Sequence, residues 1–483
     1  MNKRLILKTL SKLMLAESVL LLLPAIVSLI YGEMREALIF FAVSFVNSLI
    51  FFPLSRLVPG NNKIYAKDGF AIVALAWIMW SFVGAFTFYF CGILDSYTDC
   101  FFETVSGLTT TGATVIKEIT GLPRGILFWR SFTHWIGGMG VLVFVMAIVR
   151  LSENSINLMR AEVPGPNVGK LVPRGGKSAK ILYGMYLVLT LAEIVFLLFG
   201  GMPLFDSITH AFSTAGTGGF SIKTESIAFY NSAYIDGVIT VFMILFGINF
   251  NIFYFIVIKN FRAVLKDEEL KAYICLSAVF TVAITLNIRP LYNGIWEAFR
   301  YASFQVSSIV TTTGFVTYDF GLWPQFSQML LLILMITGCC AGSTGGGLKI
   351  IRILIMFKMI KAECRNMLNP RTVNQIKING KPVSPAVVTG VSACCAVYVI
   401  VLMGSVLLLS VYGTDFITNL TSVITCIGNV GPGLGKIVGP VGNFSTLPGL
   451  SKIVLCADML FGRLEFFPVI MMFSPRLWRR KFL

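Results

Sequence analysis

The stretch that decides the fold is Leu108-Thr109-Thr110-Thr111-Gly112-Ala113-Thr114-Val115, a run of threonines that ends at a glycine. Alone it predicts only a turn. Three related stretches follow it, and they read Ala215-Gly216-Thr217-Gly218-Gly219-Phe220, Val310-Thr311-Thr312-Thr313-Gly314-Phe315 and Ile427-Gly428-Asn429-Val430-Gly431-Pro432. The aligned glycines, from Gly112 to Gly431, are separated by 107, 95 and 117 residues. The chain therefore contains a fourfold internal repeat of domain-sized units.

The composition of the 483 residues is that of a membrane protein. Hydrophobic residues make up 56% of the chain, charged residues 13%, and the mean hydropathy is +0.81, whereas a soluble domain carries about 25% charged residues. Several apolar runs reach the roughly 20 residues that cross a bilayer. The net charge of +16 indicates basic loops on the inner side of a membrane. It does not indicate nucleic-acid binding, because no soluble basic domain is present to carry that function.

The first apolar run follows a basic start and so resembles a signal peptide. No clean cleavage site follows it, and a second apolar run begins at once. We therefore expect two retained membrane helices, near residues 13–31 and 36–57, that stand outside the repeat. The ten cysteines show neither zinc spacing nor a secreted disulfide framework, and are interpreted as packing residues.

Each repeat follows one pattern: a long apolar helix, a half-length helix, the Thr/Gly stretch and a second long apolar helix. The predicted helices are 68–91, 96–108 and 128–150; 180–199, 203–215 and 233–259; 271–287, 293–310 and 326–360; and 385–412, 414–427 and 451–473. We divide the chain into an N-terminal transmembrane hairpin (1–67) and pore repeats 68–179, 180–270, 271–384 and 385–483. A short helix before glycine-rich backbone predicts a re-entrant element, because irregular backbone at membrane depth must be buried or line a cavity.

The predicted fold is thus an all-α polytopic membrane protein. It has four helix–re-entrant pore helix–helix repeats around a pseudo-fourfold pore, plus two extra N-terminal transmembrane helices. With a cytoplasmic N-terminus and the Thr/Gly stretches on the outer side, 30 of the 39 Lys and Arg residues fall inside, as the positive-inside rule requires. We expect a multi-pass protein of the cytoplasmic (inner) membrane of a prokaryote. Outer acids such as Asp99, Glu103, Asp206 and Asp415 are expected to attract cations to the pore mouth.

The four stretches have the chemistry of a cation selectivity filter. Rings of backbone carbonyls can replace the hydration shell of a cation, glycine permits the positive φ angles that aim them, and threonine hydroxyls add oxygens. The short helices would point their negative C-terminal ends at the ion. No carboxylate is needed, which favours a monovalent cation, and glycine in all four quarters favours potassium as the transported ligand, with no tightly bound cofactor. The predicted potassium-binding residues are Thr110, Thr111, Gly112, Thr217, Gly218, Gly219, Thr312, Thr313, Gly314, Asn429, Val430 and Gly431.

At these residues the chain resembles the Trk/Ktr/HKT superfamily of potassium transporters, specifically the Trk-type membrane subunit, over essentially its full length. The resemblance also rests on Thr-His-Trp-Ile-Gly-Gly-Met-Gly at 133–140, Ala-Gly-Ser-Thr-Gly-Gly-Gly-Leu-Lys at 341–349 and Phe-Gly-Arg-Leu-Glu at 461–465. It implies a pseudo-fourfold pore within one chain, a homodimer, and a cytosolic regulatory subunit that binds NAD or ATP. Gly218 and Val430 depart from the family's threonine, which leaves their contribution to ion selection open.

Two further features suggest a gate. A glycine-rich run from Gly338 to Gly347 breaks the long segment of repeat three. A phosphate-binding loop would share its glycine spacing, but Leu348 stands where the lysine is required. The resemblance implies that this run blocks the pore beneath the filter, through Gly342, Ser343, Thr344, Gly345, Gly346 and Gly347.

The second feature is Arg463, in an otherwise apolar segment where a charge is functional or paired. Pairing with Asp458 or Glu465, or snorkelling to the inner surface, stays open. The resemblance instead implies that Arg463 projects into the pore as part of the gate. His134 has no role that the sequence can define.

The leading functional hypothesis is potassium uptake through a gated, channel-like pore. The alternative is an obligate symporter that couples potassium to protons or sodium. The sequence does not identify an acidic residue as a proton relay at mid-membrane, which weighs against tight coupling. A membrane enzyme would need a nucleophile, metal cluster or catalytic dyad, which His134 and His210 do not supply, so we expect no enzyme. A scaffolding protein would not require four glycine-centred stretches.

Overall fold

A computed structural model describes residues 3–58, 65–140, 175–371 and 374–475, and the elements are numbered within these ranges. The described chain is helical apart from one antiparallel hairpin, β1 (Lys377–Ile378) and β2 (Lys381–Pro382). Six described helices are long and apolar enough to cross a membrane, and one bent helix pair forms a further candidate span. Large apolar side chains such as Phe199 and Val411 are exposed on the helix surfaces, as lipid contact requires. The protein is a multi-pass membrane protein.

The N-terminal hairpin consists of α1 (Lys3–Ile30) and α2 (Met34–Ser55). Buried polar contacts join the two helices: Ser44 Oγ donates to Ser18 O at 2.7 Å, and Asn47 Nδ2 donates to Met14 O at 2.9 Å. The turn between them is attached to repeat one, since the Glu33 carboxylate accepts the Arg124 and Gly125 N–H groups at 2.6 and 3.0 Å. A carboxylate at a helix N-terminus stabilises it through the free N–H groups there.

The four repeats have the predicted order of long helix, short helix, Thr/Gly stretch and second helix. Repeat one contains α3 (Ala66–Phe90), α4 (Tyr97–Leu108) and α5 (Arg124–Gly138). Repeat two contains α6 (Gly175–Phe199), α7 (Leu204–Gly216), α8 (Ala233–Phe246) and α9 (Phe250–Val257), followed by the short α10 (Phe261–Lys266). Repeat three contains α11 (Glu268–Ile288), α12 (Ile295–Val310), α13 (Gln325–Thr337) and α14 (Ile350–Leu368). Repeat four contains α15 (Pro385–Ser410), α16 (Phe416–Gly428), α17 (Gly449–Arg463) and α18 (Phe467–Met472).

The second helices differ from the prediction. We predicted a break in repeat three alone, at the glycine-rich run, and that break is present between α13 and α14. Repeat two was predicted as one helix over 233–259, but α8 and α9 are bent by 92° at residues 247–249. Repeat four was predicted as one helix over 451–473, but α17 ends at Arg463 because Glu465 and Phe466 take φ angles of 58° and 63°. In repeat one α5 ends at Gly138, and the predicted continuation to residue 150 lies outside the described residues.

The described second helices are therefore short. The helices that follow the four Thr/Gly stretches have 15, 14, 13 and 15 residues. At about 1.5 Å of rise per residue, such helices are shorter than the roughly 30 Å hydrocarbon core of a bilayer. Each one ends inside the molecule, where irregular backbone can line a cavity.

Candidate functional site

The four Thr/Gly stretches share one backbone conformation. One residue at the end of each short helix is left-handed: Thr110, Thr217, Thr312 and Asn429 have φ of 55°, 53°, 58° and 53°. The glycine two residues later also has positive φ: Gly112, Gly219, Gly314 and Gly431 have φ of 80°, 77°, 82° and 101°. A β-branched threonine in this region is strained by on the order of 1 kcal/mol, and such strain concentrates at functional sites.

Hydrogen bonds at the ends of the short helices fix that conformation. In repeat one, Thr110 N–H donates to Gly107 O at 3.2 Å and Thr111 N–H donates to Ser106 O at 2.9 Å. This is the Schellman pattern, in which a left-handed residue ends a helix and satisfies its last carbonyls. The matching bonds are Thr217 to Thr214 and Gly218 to Ser213, Thr312 to Ile309 and Thr313 to Ser308, and Asn429 to Cys426 and Val430 to Thr425.

The four glycines close a ring. A methyl group on Gly112 would lie 2.0 Å from Gly218 O, in the next repeat. The corresponding distances are 2.0 Å from Gly219 to Thr313 O, 2.0 Å from Gly314 to Val430 O and 2.7 Å from Gly431 to Thr111 O. Each of the four stretches thus packs against the next one, and the fourth packs against the first. The same four glycines line one cavity of about 90 Å³, on the side of the ring that we expect to face outward. The structure therefore brings together all four stretches that the sequence singled out.

Side chains brace the stretches differently in alternate repeats. In repeats one and three, two hydroxyls of the same stretch lie 2.8 Å apart: Thr109 and Thr111, and Thr311 and Thr313. In repeat four, Asn429 takes over this role, since its Nδ2 donates to Thr111 Oγ1 at 3.0 Å and to Met459 O at 3.0 Å. The ring is close to fourfold in its backbone and closer to twofold in its side chains.

His134 braces repeat two, and sequence reasoning left this residue without a role. Its Nδ1 lies 2.7 Å from Gly107 O, and its Nε2 accepts the Phe220 N–H at 3.2 Å. A Cβ on Gly218 would lie 2.3 Å from the imidazole. The imidazole thus occupies the space of the threonine side chain that repeat two lacks, which explains glycine at position 218. The only available signal was that His134 is one of two histidines in the chain.

The glycine-rich run of repeat three lies against the inner ends of these stretches. We call residues 338–349 the gating loop, after the role that we propose for it below. Gly346 N–H donates to Thr312 Oγ1 at 2.7 Å. A Cβ on Gly345 would lie 2.7 Å from Thr311 O, and one on Gly346 would lie 2.3 Å from Gly428 O. The loop contacts the first residues of the stretches, while the outer cavity contacts their glycines. The four stretches lie between that cavity and the loop.

The gating loop also fills the bend of repeat two. Cys340 N–H donates to Gly247 O at 3.2 Å, and Phe250 N–H donates to Gly342 O at 3.1 Å. Thr344 Oγ1 donates to Phe246 O at 3.2 Å. Within the loop, Ser343 Oγ donates to Cys340 O at 2.6 Å. The loop is therefore a packed element with its own hydrogen bonds.

Arg463 joins the ends of three repeats. Its guanidinium donates to Thr344 O of the gating loop at 2.7 Å, to Gly138 O at 2.6 Å and to Gly137 O. Thr110 Oγ1 of the first stretch lies 3.4 Å away. Two partners left open by the sequence are engaged elsewhere. These are Glu465, which pairs with Arg352, and Asp458, which accepts from Ser405 Oγ at 2.7 Å. Arg463 is buried, with 8% of its surface exposed, so its charge lies beneath the four stretches and not at the inner surface.

The outer acids are mostly neutralised. Salt bridges join Glu103 to Arg130 at 2.8 Å, Asp99 to Lys452 at 2.6 Å and Asp206 to Lys223 at 3.9 Å. Asp415 instead caps α16, and its hydrogen bonds from Thr418 hold the pKa of the carboxyl below its usual value. The predicted attraction of cations by Asp99, Glu103 and Asp206 is thus largely cancelled by their partners.

A further group of acids lies inside the molecule. Glu17 in α1, Glu193 in α6 and Asp458 in α17 are buried within apolar helices. Neither oxygen of Glu17 has a hydrogen-bond partner among the described residues, and Glu193 lies beside Thr214 of α7. The sequence identifies none of these three acids as a proton relay. A carboxyl in such surroundings is costly as a charged group.

Comparison with known proteins places this architecture in one family. A family profile described as TrkH, a cation transport protein, matches residues 38–480. The Trk system potassium uptake protein TrkH of Salmonella typhimurium is 36% identical, over 99% of this chain and 100% of the relative. The Trk system potassium uptake protein TrkG of Escherichia coli is 34% identical, over 96% of both chains.

A solved structure agrees with the fold. The crystal structure of the potassium transporter TrkH from Vibrio parahaemolyticus aligns with a TM-score of 0.87 and 34% identity, over 99% of this chain and 100% of that one. These matches confirm the predicted fold class and the resemblance. The chain belongs to the TrkH family of cation transport proteins, in the Trk/Ktr/HKT superfamily, and is a transport subunit and not an enzyme.

Proposed function

We propose that this chain takes up potassium through a gated, channel-like pore in the cytoplasmic membrane of a prokaryote, with its N-terminus in the cytoplasm. The observation that carries the proposal is the closed ring of four glycines, each against a carbonyl oxygen of the next repeat. Such a ring can supply the oxygens that replace a hydration shell. Relatives named potassium uptake proteins support potassium as the ion.

The proposed selectivity filter is the set of three residues in each quarter. The first and third residues of each set have positive φ, a backbone conformation that can turn successive carbonyls toward a common axis. The proposed ligands are the backbone oxygens, with threonine hydroxyls in support, of Thr110, Thr111, Gly112, Thr217, Gly218, Gly219, Thr312, Thr313, Gly314, Asn429, Val430 and Gly431. Their roles are supported by the ring contacts and by the short helices that end at each quarter.

The proposed gate is the gating loop together with Arg463. The loop lies directly beneath the filter, and the buried guanidinium adds a positive charge that opposes a cation on the same path. For ions to pass, Gly342, Ser343, Thr344, Gly345, Gly346 and Gly347 must leave the position that they occupy here. Glycine at both ends of the loop, Gly338 and Gly347 with φ of 67° and 74°, supports such a rearrangement.

We also propose that the protein works as a homodimer with a cytosolic regulatory subunit that binds NAD or ATP. The support is the resemblance to Trk-type membrane subunits, together with the basic inner segments that such a subunit would meet. Light scattering of the purified protein tests the dimer.

Obligate symport is the second candidate, and the buried acids favour it. Glu17 and Glu193 are the kind of intramembrane carboxyls that carry protons in transporters. Neither lies among the filter or gate contacts described above, so a channel-like pore remains the better-supported proposal.

The deciding experiment is radioactive rubidium flux into proteoliposomes, with and without sodium and a proton gradient. Flux without either gradient would remove obligate symport. Flux that requires one of them would remove the channel-like proposal. A purified, folded protein that moves no rubidium under any condition would contradict both.

A further inference from the structure

A carboxylate holds the gating loop from its inner side. Glu269 lies in the first turn of α11 and is buried, with 6% of its surface exposed. Its Oε1 accepts the Ala341 N–H at 2.6 Å and the Ile351 N–H at 3.2 Å. Ala341 belongs to the loop, and Ile351 is the second residue of the helix that follows it. One oxygen therefore ties the first half of the gating loop to the start of α14.

The two residues before Glu269 form hydrogen bonds with the turn of the β-hairpin. Asp267 Oδ2 accepts from Asn379 Nδ2 at 2.9 Å, and Glu268 Oε1 accepts the Asn379 N–H at 2.9 Å. Glu268 N–H donates to Asn379 Oδ1 at 2.8 Å. Asn379 and Gly380, with φ of 51° and 74°, form the hairpin turn. The turn is thus attached to the same acidic segment, residues 267–269, that holds the loop.

A second contact joins the hairpin to the loop through apolar side chains. Ile378 of β1 is buried in a cluster with Ala341, Ile351, Ile355 and Val391. Two of these residues, Ala341 and Ile351, are the ones whose N–H groups Glu269 binds. A displacement of the hairpin would therefore disturb both the carboxylate and the apolar packing at the base of the gating loop.

We propose that Glu269 is a positioning residue that latches the gating loop in its closed position, and that the hairpin 377–382 is the lever that releases it. The proposal rests on the gating role proposed above. Hydrogen bonds from N–H groups to a carboxylate are roughly twice as strong as neutral ones, and burial protects them from screening by salt. The hairpin lies in a segment expected on the cytoplasmic side. A cytosolic partner that moved it would reach the loop through the acidic segment.

The first test is rubidium flux through purified Glu269→Ala in proteoliposomes. Loss of both hydrogen bonds frees the loop, so flux should rise about fivefold or more. Glu269→Gln keeps an acceptor oxygen but loses the charge, so its flux should lie between that of wild type and that of Glu269→Ala, a graded order that a general packing defect would not produce. Glu363→Ala removes an exposed acid from α14 and serves as the matched control. Unchanged flux in Glu269→Ala would overturn the latch.

The second test asks whether the hairpin acts through Glu269. Asn379→Gly removes the turn's side-chain contacts at an exposed position, and glycine readily adopts the φ of 51° found there. It should raise flux in the wild-type background and add nothing to Glu269→Ala, because one coupled element is already released. The lever would be overturned if the double variant showed the product of the two single increases, or if Asn379→Gly alone gave no increase in flux. Wild-type protein that passes no rubidium would instead overturn the proposed function, so the two failures are distinguishable.

Discussion

At the scale of single residues, the site depends on the absence of side chains. A Cβ atom added to Gly112, Gly219 or Gly314 would lie only 2.0 Å from a carbonyl oxygen of the next repeat. Real Cβ atoms do not come so close, and the positive φ adds a further cost for any other residue. Every quarter of the ring is therefore sensitive to the smallest possible addition.

We expect Gly112→Ser to damage potassium preference although three quarters of the filter remain. The added side chain must push away Gly218 O, a carbonyl of the neighbouring quarter. Gly219→Ala should also lower potassium preference, because its added Cβ would clash with Thr313 O. Competition of sodium with rubidium uptake measures the effect, and Gly121→Ala, in open space on an outer turn, is the control. Unaltered preference in Gly112→Ser would show that the ring is less symmetric than these distances indicate.

Arg463→Ala should raise rubidium flux, since it removes a buried positive charge and the hydrogen bond to Thr344 O that holds the gating loop. Arg463→Lys keeps the charge but loses the forked geometry, and should give an intermediate flux. The check is flux in liposomes that contain equal amounts of folded protein. A folded Arg463→Ala variant with wild-type flux would remove the arginine from the gate.

At the scale of elements, each short helix ends in the same type of cap, and the proposed filter residues begin at that cap. The cap was hidden in the sequence, because threonine at three of the four left-handed positions is not the glycine that normally marks such an end. Tertiary contacts hold these residues where local preference would not. His134 is one source of that support, through Gly107 and Phe220.

His134→Ala should lower the preference for potassium over sodium while the protein remains folded. The variant leaves the Phe220 N–H without its acceptor and opens space beside Gly218. The double variant His134→Ala, Gly218→Thr tests the physical reason, because a threonine would then fit beside the filter as it does in other repeats. Partial recovery of preference in the double variant is the expected outcome, and a further loss would contradict the explanation.

At the scale of the whole molecule, the N-terminal hairpin is fastened to the pore by Glu33, which caps α5. We expect Glu33→Ala to destabilise the protein by roughly 1 kcal/mol, the usual contribution of a helix cap, and to leave ion preference unchanged. Thermal unfolding in detergent measures the change, with Glu36→Ala as the control at a neighbouring acid. An altered ion preference in Glu33→Ala would show that the hairpin influences the filter itself.

Much of the architecture was accessible from the sequence. The repeat of Thr/Gly stretches predicted four quarters, and hydropathy and charge predicted the helices and a membrane setting. The second helices of repeats two and four were misjudged, because Gly247 and the Leu464-Glu465-Phe466 segment give a weak local signal. Contacts with the distant gating loop stabilise the bend at Gly247, and local sequence does not reveal them.

The polar partners were not accessible at all. Arg463 and Gly138 are separated by 325 residues, and Lys452 and Asp99 by 353. No local pattern joins such pairs, so the sequence left open which acid Arg463 would meet. In the structure Arg463 donates to backbone carbonyls, and no residue type in the sequence identifies such acceptors.

The closure of the ring between its first and last quarters has a consequence for biosynthesis. The contact between Asn429 and Thr111 spans 318 residues, so the first quarter leaves the ribosome and enters the bilayer long before its neighbour on that side exists. Its oxygens must be satisfied for that interval by water, lipid or an assembly factor. A chain that stops before residue 429 has no closed filter, however well its earlier helices insert. A quality-control step that senses the closed filter can therefore act only after the chain has been synthesised past that residue.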